Sequence, residues 1–190
     1  RMRLLPALCL TLACAVPATA ETVLSEASGN WAGASGEGFT FLARLTQNKD
    51  MARLVIWGGG PGSPAVAEGE PQFDNLKIDL GAFATKQALE VLDTGDGSIL
   101  QIVTDYADET GSGRTVTQIQ FIDNQFTLVG YHHQGERAGQ AFDCAVDLWK
   151  MTATEAGKTR VLEPVGFEAL NASDWTWDAA YERGFCHRSE

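Results

Sequence analysis

The chain has 190 residues, of which 44% are hydrophobic and 21% charged, and its 25 acidic against 14 basic side chains leave a formal charge of −11 at neutral pH. That length fits one domain or at most two small ones. A charge of this sign repels nucleic acid and anionic membrane surfaces, and favours either plain solubility or a cationic partner such as a basic protein.

Arg1 and Arg3 precede an apolar run from Leu4 to Val16, which ends in Pro17-Ala18-Thr19-Ala20. A positive start, a short apolar stretch and a small-x-small ending are the layout of a secretory signal cleaved after Ala20. The run is too short for the ~20 residues that span a bilayer as a helix. A lipoprotein signal acylated at Cys14 is the rival reading, but Thr11 stands where such signals prefer a branched apolar residue. Residues 1–20 are thus expected to be a cleaved signal peptide, and residues 21–190 a single β-rich domain. Periplasmic or extracellular export follows, without stable insertion in a membrane. The leader holds two of the 14 basic residues and none of the 25 acidic ones, so its removal takes the charge to −13.

Beyond the leader, Thr22–Glu26 is a short extended segment and Gly29–Gly38 reads as a glycine-rich loop. Phe39, Phe41, Ala43 and Leu45 recur with the period of two of a half-buried strand, and Met51–Trp57 is a second apolar run of strand length. The run Gly58-Gly59-Gly60-Pro61-Gly62-Ser63-Pro64 opposes regular pairing and predicts a long exposed loop over 58–71. Further strands are expected at 75–80, 88–92, 99–106, 115–122 and 126–131. The last two flank Asp123-Asn124-Gln125 and predict a hairpin. Phe142, Cys144, Val146 and Leu148 alternate with polar residues in another strand, and 159–162 is a candidate for the last one. Residues 172–183 form the one expected helix, capped by Ser173 or Asp174 and ended by Gly184. Short strands every 8 to 15 residues and one short helix near the C-terminus indicate a mainly β fold, an antiparallel β-sandwich or barrel.

Cys9 and Cys14 leave with the signal, so Cys144 and Cys186 are expected to form a disulfide in an oxidising compartment. Closing a loop of this length stabilises by about 4 kcal/mol in the chain-entropy picture. No metal site is expected, because the histidines are His132, His133 and His187 alone, and His187 beside Cys186 supplies two ligands at most. No cofactor is expected either. The triple glycine at 58–60 lacks the lysine and the helix that a phosphate loop requires. Asp93-Thr94-Gly95-Asp96-Gly97-Ser98 resembles a calcium loop, but Gly95 replaces the central acidic residue, and a tight Asp/Gly turn explains it as well. His132 and His133, adjacent on a strand, point to opposite faces and do not share a site. No catalytic constellation is visible. Core packing is the expected role of Trp57 and Trp149, while Trp31, bordering the glycine-rich stretch, is open to functional use. Asn171-Ala172-Ser173 fits a glycosylation sequon.

Residues 93–129, DTGDGSILQIVTDYADETGSGRTVTQIQFIDNQFTLV, place an Asp/Gly turn, an apolar strand, a Gly-Ser-Gly segment and a hairpin in succession. In this order they resemble a segment of the secreted bacterial inhibitors of invertebrate-type lysozyme, which are small periplasmic β-sandwiches. Ser112-Gly113-Arg114 is similar to the family's S-G-R-x-Y inhibitory loop, with Val116 standing where the family has tyrosine. The resemblance implies a loop at 111–114 whose Ser112, Gly113 and Arg114 enter a glycosidase cleft, where a guanidinium can pair with the two catalytic carboxylates. The expected function is accordingly an exported binding protein, with a cationic lysozyme as the sharpest candidate partner. The alternative is a secreted carbohydrate-binding module or hydrolase using Trp31 and the loop over 58–71.

Overall fold

A computed structural model describes residues 21–33, 38–60, 62–95 and 97–188. The expected signal peptide, with Cys9 and Cys14, lies outside the described residues. Among the described residues, eleven strands form two antiparallel sheets packed face to face, so the mainly β, sandwich-like architecture expected from the short alternating segments is what the chain adopts. The smaller sheet takes β1 (Val23–Asn30), β2 (Thr40–Asn48), β3 (Met51–Gly58) and β4 (Phe73–Leu80) in chain order. The larger holds β5 (Ala84–Asp93), β6 (Ser98–Asp108), β7 (Gly111–Ile122), β8 (Gln125–Arg137), β9 (Gln140–Asp147), β10 (Thr152–Glu155) and β11 (Lys158–Val161). Every strand pairs with its sequence neighbour within a sheet, and the chain changes sheet between β4 and β5.

The period of two in the sequence becomes the two faces of each strand. In β2, Phe41, Ala43 and Leu45 turn inward, as do Leu54 and Ile56 of β3, and all five are essentially inaccessible. Leu100, Ile102, Ile119, Leu128 and Val146 answer them from the larger sheet. Each such aliphatic side chain contributes roughly 1.5–3 kcal/mol by leaving water. Phe39, expected on the same face as Phe41, precedes β2 and is exposed. Within the stretch expected as loop over 29–38, Gly29 and Asn30 instead complete β1.

The hairpin expected around Asp123-Asn124 is present, with Ile122 facing Gln125 and both turn residues in the left-handed region. Two further tight turns, Ala138-Gly139 and Ala156-Gly157, have the same paired positive φ angles. β1 packs beside β5, and Ser25 Oγ accepts from Leu89 N at 2.9 Å, which draws that side of the sandwich together.

The expected helix over 172–183 is broken into a 3₁₀ turn at Ala172–Asp174, an extended stretch, and α1 (Ala179–Glu182). The reason is Asn75 of β4, whose Nδ2 donates to the carbonyls of both Ala172 and Trp175 at 2.9 Å. It takes the Trp175 acceptor that a continuous helix would have used internally, while Trp175 itself sinks into the core. The cap is Asn171, whose side chain accepts from Ser173 N; the expected cap at Ser173 or Asp174 is not formed. Gly184, with φ of 69°, does end α1. The C-terminal segment is then fastened to β9 by the disulfide Cys144–Cys186, as the cysteine pair predicted. Among the described residues no helix is long and apolar enough to cross a membrane.

Candidate functional site

The residues singled out in the sequence, Ser112, Gly113 and Arg114, are not on a loop. They lie in β7, with Gly113 between Tyr106 of β6 and Gly135 of β8, and Arg114 between Asp105 and Gln134. The turn comes earlier, at Glu109-Thr110, because Asp108 Oδ1 accepts from Thr110 N, Thr110 Oγ1 and Gly111 N and closes the chain there. Glycine and serine signalled a connection, but ladder bonds on both sides override that preference.

Alternation in β7 gives the three residues different tasks. Ser112 and Arg114 face outward. Arg114 lies across the sheet onto Asp105, with Nε to Oδ1 at 2.6 Å and Nη2 to Oδ2 at 3.0 Å, a two-pronged pair that leaves the arginine about half exposed. The guanidinium holds the Asp105 carboxyl below its ordinary value. Beside this pair, His132 Nε2 meets Asp143 Oδ1 at 2.7 Å on the same outer face.

Gly113 faces inward, where no side chain fits: a Cβ there would come within 2.6 Å of Tyr106 Oη and 2.8 Å of Gln134 O. Gly135, its cross-strand partner, is closed off in the same way by Ser112 O and the Phe142 ring. The glycine pair thus opens a slot in the inner face, and Tyr106 and Phe142 fold across it toward His133 from either side.

His133 is the centre of this cluster and was not predicted as a pair with tyrosines. Its Nε2 meets Tyr106 Oη at 2.6 Å and its Nδ1 meets Tyr181 Oη at 2.5 Å, while Trp177 packs edge-on at 5.8 Å. A neutral imidazole has one N–H and one bare nitrogen, so one phenol accepts from the ring and the other donates to it. Burial, with Arg137 and His132 nearby, pushes the His133 pKa down to about 4, and burial raises Tyr181 to about 12. At neutral pH all three groups are uncharged, which makes the cluster an anchor for the C-terminal segment.

Strand registers put Gln87, Thr104, Thr115, His133 and Cys144 in a single row across five strands. Asp79 reaches that row from the opposite sheet: Thr104 Oγ1 donates to its Oδ2 at 2.7 Å and Leu80 N to its Oδ1 at 2.7 Å. Full burial raises its pKa to about 7. Tyr131 Oη and Thr115 Oγ1, buried close by, have no hydrogen-bond partner among the described residues.

No family model, curated protein or solved structure matches this chain. The likeness to the lysozyme inhibitors therefore stands on residues 93–129 alone.

The second expected site fares differently. Trp31 is 6% exposed, stacked on Phe41 at 3.9 Å and edged by Phe126, so it belongs to the core and offers no face to a sugar. Trp149, expected in the core, is 63% exposed in the turn after β9. Trp57 is half-buried beside the stretch over 62–72. In the Asp93–Ser98 turn, Asp93 Oδ1 accepts from Gly95 N and Thr94 Oγ1 donates to Gly97 O, so the turn closes on itself; Asp96 lies outside the described residues. Among the described residues no group of three histidines, cysteines or carboxylates is placed to hold a metal.

Proposed function

We propose that the chain is an exported binding protein for a cationic protein, and that a lysozyme-type glycosidase is its target. The observation that carries this reading is the fixed outer patch of β6 and β7, where Arg114 and Asp105 are held in register beside exposed Ser112 on an acidic chain. A rigid strand surface loses little conformational freedom on docking, which leaves more of its contact energy as affinity. The charge, −11 for the whole chain and −13 once the leader is removed, attracts a basic enzyme and raises the association rate. Asp105 acts as a stand-in for a target carboxylate: when a glycosidase carboxylate arrives, Arg114 exchanges one planar acceptor for another.

Inhibition of a basic invertebrate-type lysozyme by the purified chain tests this, with Arg114→Ala and Asp105→Asn in parallel. Arg114→Ala is expected to weaken inhibition by at least ~10-fold, a loss of about 1.4 kcal/mol. Asp105→Asn releases the guanidinium and is expected to strengthen inhibition. Potency is expected to fall as salt rises from low to physiological ionic strength. An inactive parent chain, or equal potency in Arg114→Ala, removes the reading.

A further inference from the structure

The outer face of the smaller sheet carries a groove of about 400 Å³, within the range of small-molecule sites. Thr46 and Val55 form its floor. They point away from the core, opposite to Leu45 and Leu54, yet are only 3% and 4% exposed. Walls on either side account for that burial.

One wall is Trp57 with the segment following β3, which folds back over it. Gln72 N donates to Ile56 O at 2.9 Å, Thr40 Oγ1 to Ser63 O at 2.8 Å, and the Trp57 indole N–H to Gly69 O at 3.4 Å, with Pro71 on the rim. The other wall is Arg53, pinned by three bonds: Nε and Nη2 to Asp74 at 2.8 and 2.6 Å, and Nη1 to Glu21 at 2.7 Å. Arg44 lies over the Trp57 ring at 5.4 Å and is bonded through Nε to Glu26 at 2.6 Å.

Exposed ion pairs contribute at most about 1 kcal/mol each, so stability gives little reason to set ion-paired arginines on both sides of one groove, one of them over an indole. Recognition gives a better one. A pyranose ring has an apolar C–H face and a rim of vicinal hydroxyls. An indole suits the first, and planar guanidinium and carboxylate groups held in fixed directions suit the second. Both arginines here are already matched by carboxylates, which disfavours an ionic ligand and favours a neutral, polyhydroxylated one.

We propose that this groove binds a short neutral oligosaccharide, with Trp57 as the stacking platform, Arg53 and Glu21 as the hydroxyl partners, Asp74 holding Arg53 in place, and Arg44 as a cover that moves aside. The site lies on the sheet opposite to the Asp105–Arg114 patch and stands independently of it.

The probes are N-acetylchitotetraose, cellotetraose and maltotetraose, titrated into the full chain and followed by calorimetry and by the indole N–H resonances. At least one is expected to bind saturably and to move the Trp57 signal while those of buried Trp31 and Trp175 stay in place. Trp57→Ala is expected to weaken that binding by ~10-fold or more, Trp57→Phe by less, and Trp149→Ala not at all. The resonance measurement needs no variant, so a misfolded Trp57→Ala leaves the test intact. Absence of saturable binding to all three probes, an unmoved Trp57 signal, or binding that survives Trp57→Ala in a folded variant overturns the proposal.

Discussion

Asp79 and His133 sit about the same row of the larger sheet's inner face, and burial acts on them in opposite directions. The acid is fully buried against Thr104 and Leu80 N, and its pKa rises to about 7. The imidazole is held between Tyr106 and Tyr181, and its pKa falls to about 4. In both cases the interior favours the neutral form, which is protonated for a carboxyl and deprotonated for an imidazole. The difference lies in what covers them. Asp79 is enclosed by strands of the two sheets, whereas His133 is capped by Tyr181 and Trp177 of the C-terminal segment, which the Cys144–Cys186 disulfide holds down.

Breaking the disulfide should produce the largest effect and act on one centre only. Cys144→Ser with Cys186→Ser is expected to cost about 4 kcal/mol in denaturant unfolding. In the same variant the His133 pKa, followed by its ring resonances, should move up toward 6.5 as the C-terminal cover loosens, while that of Asp79 stays near 7. Equal shifts at both centres would show that the segment shields the whole interior.

The pH dependence separates the two centres next. A folded-state pKa raised from 3.8 to about 7 means that the native state holds the Asp79 proton where the unfolded chain has released it. Its contribution is present in full below pH ~4 and is lost as pH rises through 7. His133 has the opposite sign: the unfolded imidazole binds a proton below 6.5 and the native one does not until about 4, so stability falls as pH drops across that window. Between pH 4 and 6.5 the two slopes oppose each other. Asp79→Asn should therefore expose a stability that rises over this window, and should be more stable than the parent at pH 8 by a few kcal/mol. His133→Gln should show a stability that falls from pH 4 to 7. Parallel profiles for both variants and the parent, measured by urea unfolding, would contradict the opposed linkage.

A smaller effect is expected from Gly113→Ala, which places a methyl group 2.6 Å from Tyr106 Oη. Displacing that ring should cost roughly 1–3 kcal/mol, as overpacking does. It should also weaken the Tyr106–His133 bond and raise the His133 pKa, leaving Asp79 unchanged. A neutral substitution would mean that Tyr106 is held by Trp177 rather than by the glycine slot.

Strands with strict alternation, such as β2, and the Asp123-Asn124 hairpin were legible because their signals are local: a period of two, and residues tolerant of positive φ. Ala138-Gly139 and Ala156-Gly157 make the same kind of turn with alanine in the first position, where no side-chain signal marks it. The Ser112-Gly113-Arg114 segment was misplaced for the converse reason. Its glycine looks like a turn residue but serves a close packing of rings, and nothing in a single strand tells the two apart. Trp31 and Trp149 exchanged expected roles because burial depends on which residues arrive from elsewhere in the chain, Phe41 and Phe126 in the case of Trp31.

By itself the amino-acid sequence determined the class of fold, most of the strands, the pairing of Cys144 with Cys186 and the acidic charge, since each follows from neighbouring residues or from composition. Only the tertiary structure decided that Asn75 breaks the expected helix, that Gly113 makes room for a tyrosine, and that Asp79 of the smaller sheet meets the row of the larger sheet that holds His133. These depend on contacts between residues of different strands or segments, seven positions apart for Gly113 and Tyr106 and about a hundred for Asn75 and Trp175, and such contacts exist only once the sheets have formed and closed.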